Sequence, residues 1–278
     1  RGTGKLIFSL TWDGSSSLQR RFPIELKQAL RTELDRSVRW FESDEGVSPA
    51  AIAKLGLIDE GYDFTIVEDR DTAYIAVTRE VQNADRWTEI DMERPRRNAK
   101  NGMTPPKLAA MMVHLAGNPT SVLDPFCGSG TFLMAAAMAG AERVAGSDIL
   151  PLLVRDTDAN IAWAMDRGLV PRSISIETAV ADATRPLPFT DASFEAIVSE
   201  GYLGTPLHGD EEPHELEREA QGVHDLWMNA LPQLAQALTP SGVIIGMLPS
   251  YKTRHGEAHA RLTPSALSHI GLHEEAIL

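Results

Sequence analysis

The chain has 278 residues, of which 43% are hydrophobic, and its formal net charge is -13. This length can bury one full α/β core and leaves residues for a smaller second unit. No apolar run approaches the roughly 20 residues of a membrane span, and no charged-then-apolar leader opens the sequence, so we expect no membrane insertion. A single cysteine, Cys127, excludes an internal disulfide and a cysteine-based metal site, and we expect a cytoplasmic protein.

Charge is distributed unevenly along the chain. Residues 1–107 carry 17 Lys and Arg against 18 Asp and Glu, whereas residues 108–278 carry 9 against 21. An acidic surface repels the phosphate backbone of a nucleic acid, so any such affinity is expected mainly from the first part or from segments outside this sequence. We expect an excerpt of a longer protein, since the chain starts at Arg1 without an initiator methionine and stops inside a predicted strand.

The first 90 residues alternate short β-like and helical segments, which predicts a small α+β domain. Ser48 and Pro49 are typical of a helix N-cap followed by the first helical residue. The predicted strands are 6–10, 38–41, 64–67 and 73–77, and the predicted helices are 18–34 and 48–57.

Residues 91–107 are rich in Pro, Gly, Asn and charge, lack periodicity, and predict a linker. They also form the most basic stretch of the chain. Two interpretations of these basic side chains stay open. They contact the phosphates of a nucleic acid, or they only keep the linker solvated. They are Arg94, Arg96, Arg97, Lys100 and Lys107.

From residue 108 onward, strand and helix patterns alternate in the way that predicts an α/β fold with a doubly wound, mostly parallel, Rossmann-like sheet. The predicted strands are 121–123, 143–148, 173–180, 194–199, 243–248 and a half-strand at 274–278; the predicted helices are 108–115, 131–139, 154–165, 216–238 and 263–270. The sequence thus divides into an N-terminal domain at 1–90, the linker 91–107 and a domain at 108–278 whose last strand is expected to be missing.

The first strand of that sheet leads through Asp124 into the turn 125–131, Pro-Phe-Cys-Gly-Ser-Gly-Thr, and then into an alanine-rich helix. This arrangement puts backbone N–H groups and a helix N-terminus beside a carboxylate, which favours binding of a small zwitterion. Gly128 and Gly130 let a ligand approach the backbone, and one of them is expected at positive φ. The glycine patterns of dinucleotide sites and of phosphate-binding loops are both absent.

Two more acids follow strands of the same predicted sheet. Asp148 ends the next strand, 24 residues after Asp124 and close to the roughly 20-residue offset at which an acid binds ribose hydroxyls in doubly wound folds. Asp182 comes just beyond the third strand, where it can accept a hydrogen bond from an adenine amino group. Since such sheets bind ligands beyond the carboxyl ends of their strands, the three acids are predicted to line one crevice.

The segment 124–131 resembles the first motif of amino-group methyltransferases, and 147–149 (Ser-Asp-Ile) and 181–183 (Ala-Asp-Ala) resemble the second and third. The stretch 94–109, with Arg-Pro at its start and Gly-Met-Thr-Pro-Pro-Lys-Leu-Ala at its end, is similar to the start of the catalytic domain in THUMP-associated tRNA guanine-N2-methyltransferases. The first 80 residues resemble the latter half of a THUMP RNA-binding domain only in the order of their elements.

This resemblance implies S-adenosylmethionine as the cofactor, with Thr104 and Pro105 closing over its methionine part. The residues implied in cofactor binding are Thr104, Pro105, Asp124, Phe126, Gly128, Gly130, Thr131, Asp148, Ile149, Asp182 and Ala183.

The acceptor site is expected at the end of the fourth strand, where residues 199–204 read Ser-Glu-Gly-Tyr-Leu-Gly. Methylation of an exocyclic amine needs an acceptor for its N–H groups and a surface on which the base stacks. The family usually has Asp or Asn, two prolines and an aromatic residue here, so this chain departs from the pattern. One alignment makes Glu200 the acid and puts Leu203 at the stacking position; the other puts Tyr202 there and leaves Ser199 as the polar group. We favour Glu200 as acceptor with Tyr202 shaping the base pocket, and the alternative is an altered, inactive turn.

Two further features are expected to carry no chemistry. Cys127 is expected to pack in the core. A cytosine-C5 mechanism needs a nucleophilic cysteine at the fourth strand end, and the sequence has no cysteine there. The acidic segment 208–219 contains two histidines, and its composition favours a solvated loop over an active-site lid or a metal site. No metal is predicted.

These residues and the resemblance predict a methyltransferase that acts on an exocyclic amine of a base, with guanine N2 of tRNA favoured and tRNA or another structured RNA as partner. The missing prolines leave the guanine specificity open. The alternatives are a DNA amino-methyltransferase and a catalytically weak, methyltransferase-like RNA-binding protein. The sequence does not indicate whether an activating protein partner is needed.

Overall fold

The computed structural model describes residues 5–14, 17–42, 46–70, 72–97 and 103–275. The chain divides into two compact units, residues 1–88 and residues 89–278. The first unit contains a four-stranded sheet and the second a five-stranded parallel sheet, and each packs its own hydrophobic core.

The first unit is a mixed sheet with two helices. Its elements are β1 Leu6–Asp13, α1 Phe22–Leu34, β2 Val38–Phe41, α2 Pro49–Lys54, β3 Tyr62–Asp69 and β4 Thr72–Val77. The strands lie in the order β2-β1-β3-β4, with β1 parallel to β2 and β3, and β4 antiparallel to β3. Leu6, Phe8 and Val38 form the buried core, against which Leu26 and Leu30 of α1 pack.

Local sequence signals determine where these helices begin. Ser48 caps α2 through its hydroxyl, which accepts a backbone hydrogen bond at 3.3 Å, and Pro49 is the first helical residue, as predicted. The helix predicted to start at residue 18 is shorter, because residues 17–20 form a 3-10 turn and Pro23 lies in the first turn of α1. Proline suits that position since it has no N–H to leave unpaired.

The second unit is an α/β fold built on a parallel sheet. Its strands are β5 Ser121–Asp124, β6 Arg143–Asp148, β7 Ser175–Val180, β8 Phe194–Ser199 and β9 Leu238–Gly246. The helices are α3 Ala84–Met92, which begins before the boundary between the units, α4 Pro106–Leu115, α5 Thr131–Met138, α6 Pro151–Asp166, α7 Pro213–Ala237 and α8 Pro264–His269. A separate antiparallel hairpin consists of β10 Ser250–Lys252 and β11 Glu257–His259.

The five strands are all parallel and lie in the order β7-β6-β5-β8-β9. The chain therefore winds outward from β5 through β6 to β7, and then returns to the other side of β5 with β8 and β9. In a doubly wound sheet, the ligand crevice lies beyond the carboxyl ends of the strands where the order reverses, which here is between β5 and β8. The predicted α/β fold with a doubly wound, mostly parallel sheet is confirmed.

Burial explains the composition of the helices in this unit. Residues 131–137 of α5 are all buried, which is why this helix is apolar on every side. By contrast, α7 is amphipathic and buries one face, including Leu216 and Trp227. Trp227 belongs to the same core cluster as Leu123 of β5 and Ile197 of β8, so α7 packs close to the strands that flank the crevice.

A few elements differ from the sequence prediction. The hairpin β10–β11 and helix α3 have no counterpart in it, because three-residue strands and a helix with Ile90 as its buried residue carry little periodic signal. Strand β9 begins at residue 238 instead of 243, and its pairing with β8 contains an irregularity in register. Residues 276–278 of the predicted final half-strand lie outside the described residues.

Among the described residues, no helix combines the length and the apolar character that crossing a membrane requires.

Candidate cofactor and acceptor site

Polar side chains end three neighbouring strands of the parallel sheet. Asp124 ends β5, Asp148 ends β6 and Ser199 ends β8, and all three are buried. The negative charges of Asp148 and Glu200 both act on Asp124, so these carboxylates form one acidic cluster. The cluster lies where the strand order reverses, which is the position expected for a ligand site.

The turn after β5 has a backbone geometry that favours glycine. Gly128 and Gly130 have φ values of 53° and 84°, so both residues, and not one, lie in the left-handed region. A Cβ on Gly130 would lie 3.0 Å from Cγ2 of Thr157, so space as well as strain excludes a side chain. Gly130 is also the N-cap of α5 and has no side chain that could cap it. The N–H groups of the first turn are therefore left for a ligand.

The second acid of the cluster is held by backbone amides. Asp148 Oδ2 accepts a hydrogen bond from Gly128 N at 3.1 Å, and its Oδ1 accepts one from Leu150 N at 2.9 Å. Each oxygen still has a free lone pair, so the carboxylate can accept two more hydrogen bonds in a fixed orientation. It also ties the glycine turn to the end of β6, a role that sequence spacing did not indicate.

Asp124 is the most deeply buried acid of the cluster, with 1% of its surface exposed. Its Oδ1 accepts a hydrogen bond from Phe126 N at 3.1 Å, and its Oδ2 has no hydrogen-bond partner among the described residues. The pKa of Asp124 is raised to about 7, mainly by burial; the Ser199 hydroxyl and the Phe126 amide oppose the shift, and the charges of Asp148 and Glu200 add to it. Such a carboxyl is complementary to a ligand that carries a positive charge.

Helix α6 contributes two buried polar side chains that hold the glycine turn. Thr157 donates its hydroxyl to Gly128 O at 2.8 Å, and Asn160 donates to Ser129 O at 2.9 Å. Both side chains are fully buried. Sequence reasoning missed them, although two polar residues three positions apart on the buried face of an amphipathic helix are a signal that could have found them.

Arg94 fits neither interpretation of the basic stretch, because a side chain that solvates a linker or contacts phosphates has to be exposed. It is buried and donates a hydrogen bond of 2.7 Å from Nη1 to Thr131 Oγ1 at the start of α5. Arg96, Arg97 and Lys107 are exposed, as a solvated linker predicts. The basic stretch is thus divided into one buried arginine and several exposed cations. Lys100, with the rest of 98–102, lies outside the described residues.

The predicted acceptor segment 199–204 turns sharply at two glycines. Ser199 Oγ accepts a hydrogen bond from Gly201 N at 3.1 Å. Gly201 and Gly204 have φ values of 72° and 89°, and a Cβ on Gly201 would lie 2.6 Å from Cζ2 of Trp227. The segment therefore packs its backbone directly against the buried indole of α7, which leaves no room for a side chain at Gly201.

Two side chains distant in sequence hold this segment in place. Tyr251 of β10 donates its hydroxyl to Leu203 O at 2.6 Å, and Glu219 of α7 accepts from Thr205 N at 3.1 Å. Burial raises the pKa of Tyr251 to about 12, with the charge of Glu219 adding to the shift, so the phenol remains a donor. Neither residue was indicated by sequence, because the contact depends on the folding of α7 and β10 onto the segment.

Of the residues expected to take part in methyl transfer, Tyr202 is 48% exposed and Glu200 is half-buried. Their side chains thus border solvent beside the buried Ser199. An exposed aromatic ring next to a partly exposed carboxylate is the combination that a planar, amine-bearing base requires.

The remaining residues implied in cofactor binding differ in exposure. Thr104 is buried, whereas Pro105 is the exposed N-cap of α4. Ile149 directly follows Asp148 and is 64% exposed, so an apolar side chain lies open beside that acid. Ala183 is buried, and Phe126 packs against Trp227 with ring centroids 5.7 Å apart.

Asp182 lies two residues beyond the end of β7. Its Oδ1 accepts hydrogen bonds from the hydroxyl and the backbone N–H of Thr184, at 2.7 and 2.9 Å. These two bonds lower the pKa of Asp182, so it is an ionised acceptor.

Cys127 and the histidines do not form a reactive or metal-binding site. Cys127 is buried, and burial raises the pKa of its thiol, so it stays protonated and packs in the core, as expected. No group of three or more His, Cys, Asp or Glu side chains in the described ranges could hold a metal ion. The predicted loop 208–219 ends early, since Glu212 caps α7 and Pro213 begins it.

Residues 94–166 match the family UPF0020, described as an RMKL-like methyltransferase domain. The tRNA (guanine(10)-N2)-dimethyltransferase of Pyrococcus abyssi (strain GE5 / Orsay) is 32% identical to this chain over 112 residues. That alignment covers 38% of this chain and 32% of the relative. The chain thus spans about a third of the length of the curated relative that it matches.

Two solved structures are similar to this chain at low identity. TrmN from Thermus thermophilus is 19% identical, with a TM-score of 0.46 over 89% of this chain and 63% of that chain. A TehB-like SAM-dependent methyltransferase from Corynebacterium glutamicum is also 19% identical, with a TM-score of 0.36 over 68% of this chain and 78% of that chain.

The family match spans the glycine turn and its supports on one side of the crevice, and it ends before β8. It includes Arg94, the glycine turn, Asp148 and the two polar residues of α6. The resemblance noted in the sequence is confirmed for this part of the chain, since residues 94–166 match the model of the UPF0020 family, an RMKL-like methyltransferase domain.

Proposed function

We propose that this chain is the catalytic part of an S-adenosylmethionine-dependent methyltransferase that modifies an exocyclic amine of a tRNA base, with guanine N2 as the target. The observation that carries the proposal is the acidic cluster beside the glycine turn, in which one oxygen of the buried Asp124 has no hydrogen-bond partner within the described ranges. A ligand with a cationic centre and a carboxylate complements both the cluster and the N-terminus of α5. The choice of tRNA guanine rests on the name of the matched Pyrococcus relative.

The residues of the crevice fit this cofactor. Asp148 has two free lone pairs for ribose hydroxyls, and Asp182 has a carboxylate for the adenine amino group. Asp124 would face the cationic part of the cofactor, with Thr104 and Pro105 beside its methionine part. When bound, S-adenosylmethionine supplies an electrophilic methyl group on a sulfonium. The adenosine would also border Ile149, Ala183 and Phe126, and the glycine turn would contact it through Gly128, Gly130 and Thr131.

The task left to the protein is to place the acceptor nitrogen in line with that methyl group. Glu200 would accept hydrogen bonds from the amine and so orient its lone pair. Tyr202, which is half-exposed, would stack on the base. Ser199 is bonded to Gly201 N and lies close to Asp124, so it would couple the acceptor segment to the cofactor site.

The first unit would provide contacts to the tRNA outside the target base. Its strand and helix order resembles part of a THUMP domain, and it is less acidic than the second unit: residues 1–88 carry 12 basic and 15 acidic side chains, against 14 and 24 in residues 89–278. The exposed Arg96 and Arg97 would add phosphate contacts near the crevice. We expect the enzyme to act in the cytoplasm.

Incubation of the full-length protein with labelled S-adenosylmethionine and unmodified tRNA, followed by nucleoside mass spectrometry, tests this function. The expected product is N2-methylguanosine. Label in a DNA duplex, with none in tRNA, would instead indicate a DNA amino-methyltransferase. If calorimetry detects no heat with millimolar cofactor while tRNA still binds, the chain is a methyltransferase-like RNA-binding protein and the enzymatic proposal is wrong.

A further inference from the structure

Strand β4, Thr72–Val77, forms an unprotected edge of the sheet in the first unit. It pairs with β3 on one side, and among the described residues no strand pairs with its other side. Its sequence, Thr-Ala-Tyr-Ile-Ala-Val, contains no charge and no proline, and its pairing with β3 has no bulge. Soluble proteins usually protect an edge with one of these features or with a covering element. The opposite edge, β2, is shorter and carries the exposed Arg39, so β4 is the edge that is open to another strand.

The side chains of β4 expose apolar surface on both faces of the sheet. Tyr74 is 58% exposed and Ile75 is 63% exposed. Because successive residues of a strand point to opposite faces, these two side chains lie on different sides of the sheet. Contact with a second apolar strand would remove both of them from water.

The hydrogen-bond pattern of the sheet shows which backbone groups of β4 point outward. Thr78 N donates to Asp63 O at 2.9 Å, and the register that pairs Phe64 with Val77 makes Thr78 the partner of Asp63. In an antiparallel pair, residues that bond to the partner strand alternate with residues that do not. Every second residue counted back from Thr78 therefore bonds to β3. The backbone groups of the remaining residues point away from the sheet, and these residues are Ala73, Ile75 and Val77.

We propose that β4 pairs antiparallel with β4 of a second copy of this chain, around a two-fold axis at Ile75. Ile75 then forms a hydrogen-bonded pair with the partner's Ile75, and Ala73 forms one with the partner's Val77. This register satisfies all the outward-pointing groups of β4 with roughly six hydrogen bonds. On the other face, Tyr74 lies opposite the partner's Ala76, so a large side chain meets a small one. The two four-stranded sheets become one continuous sheet.

The charged residues that flank β4 are complementary in the same register. Asp69 and Arg70 precede the strand, Arg79 and Glu80 follow it, and all of them are exposed. Antiparallel pairing brings the residues before β4 of one copy beside the residues after β4 of the other, so opposite charges meet at both ends. The first unit is also nearly balanced in charge, with 12 basic and 15 acidic side chains in residues 1–88. Repulsion between two copies is therefore weak at this edge.

Sedimentation of the whole chain over a range of concentrations tests the pairing. An edge-to-edge contact is smaller than the roughly 1,600 Å² of a standard interface, so we expect a dissociation constant of about 10–100 μM. Ile75→Lys and Ile75→Glu should each abolish the dimer, because like charges then face each other at the axis. An equimolar mixture of these two variants should associate again. Ile24→Lys changes a side chain of α1 that is 51% exposed and is the matched control, which should associate like the wild type.

Cross-linking tests the position of the axis. Cys127 is buried, so Ile75→Cys places an accessible thiol on a chain whose own cysteine is shielded. The Cα atoms of a hydrogen-bonded antiparallel pair lie about 5.5 Å apart, which a disulfide can span. Mild oxidation with diamide should therefore give a covalent dimer. Thr72→Cys is the control, because this exposed position lies about 20 Å from its counterpart in the proposed register and should not cross-link.

Several results would overturn the pairing. Monomers at every concentration, a dimer that survives both charge variants, or assemblies larger than a dimer would each contradict a closed two-fold contact at β4. Equal cross-linking of both cysteine variants would show that the copies have no fixed register. If wild type is monomeric and tRNA shields Ile75→Cys from a maleimide, the edge binds RNA instead. The proposed methyltransferase function is tested separately by its product and stands or falls independently of these results.

Discussion

Asp124 combines deep burial, two neighbouring acids and an oxygen for which the described part of the chain offers no hydrogen-bond partner. Burying an ionised carboxylate costs free energy unless an opposite charge compensates it. A cationic ligand provides that compensation, so the same feature that weakens the ligand-free protein strengthens ligand binding. The energetic cost of the site should therefore be measurable in the ligand-free state.

Asp124→Asn should stabilise the ligand-free protein in a pH-dependent way. The folded-state pKa of Asp124 is raised from 3.8 to about 7, so the folded state binds the extra proton between these values. Wild type therefore loses stability as the pH rises through this range, while the variant does not. The increase in the free energy of unfolding of Asp124→Asn over wild type should be about 2–3 kcal/mol larger at pH 8 than at pH 5, measured by denaturant unfolding. A gain of the same size at both pH values would contradict the assigned pKa.

Asp148→Ala should weaken cofactor binding without unfolding the protein. The substitution removes a charged acceptor whose two oxygens are held by Gly128 and Leu150 N–H groups. The expected loss is about 1–3 kcal/mol in binding free energy, by calorimetry with S-adenosylmethionine. Asp191→Ala removes an exposed acid from a turn and is the control, for which no loss is expected. Equal affinities for wild type and Asp148→Ala would remove Asp148 from the site.

Glu200→Ala should separate catalysis from cofactor binding. Glu200 follows the buried Ser199 and is half-buried, where it would orient the acceptor amine. Methyl transfer to tRNA should fall at least about a hundredfold, while cofactor affinity stays within about twofold. Glu217→Ala, an exposed residue of α7, is the matched control. Unchanged turnover in Glu200→Ala would show that another group accepts the amine.

At the scale of elements, the acceptor segment is positioned by parts of the chain that follow it. Trp227 of α7 packs against Gly201, and Tyr251 of β10 bonds to Leu203 O. The glycine turn is likewise held by a later element, since Thr157 and Asn160 of α6 donate hydrogen bonds to its carbonyl oxygens. Both reactive segments are therefore irregular loops fixed by regular elements, which is how a rigid site can be built on turns.

Tyr251→Phe should loosen the acceptor segment and spare the cofactor site. It leaves the Leu203 carbonyl without its donor, which costs about 1 kcal/mol in the free energy of unfolding. Turnover on tRNA should fall several-fold more than cofactor affinity, measured by steady-state kinetics and calorimetry. Tyr62→Phe alters a half-exposed hydroxyl of the first unit and should change neither quantity. A matching decrease in both quantities for Tyr251→Phe would mean that its effect is global.

At the scale of the whole molecule, charge limits how the protein can hold RNA. The chain carries a net charge of -13, so phosphate contacts must come from local groups of exposed cations. Arg96 and Arg97 are exposed neighbours of the buried Arg94. Arg96 Nε lies 3.7 Å from Oδ1 of Asp156, and this long pair adds little stability because the arginine side chain is 60% exposed.

The double variant Arg96→Gln, Arg97→Gln should weaken tRNA binding and reduce its salt dependence. Removal of two phosphate contacts should lower the slope of log affinity against log salt by roughly one to two. The measurement is tRNA binding at several salt concentrations, with cofactor affinity as the internal control. An unchanged slope would leave these arginines as solvated surface residues.

Much of the fold could be predicted from the sequence because its elements have strong local signals. Strands β2, β6 and β8 were predicted with their observed bounds, since each is a short segment that contains β-branched or aromatic residues. The Ser48 cap and a left-handed glycine in the turn follow from residue type, although only one of Gly128 and Gly130 was expected there and both have positive φ. Signals of this kind lie within a few neighbouring residues and need no tertiary contact.

The sequence alone also determined the carboxylates at the strand ends, since the ends of parallel strands meet at one edge of a sheet. Only the tertiary structure decided that Arg94 is buried on Thr131, that Asn160 clamps two loops, and that Tyr251 holds the acceptor segment. The reason is physical: these contacts join residues 31 to 64 positions apart, and nothing in the local pattern of an arginine, an asparagine or a tyrosine specifies its distant partner.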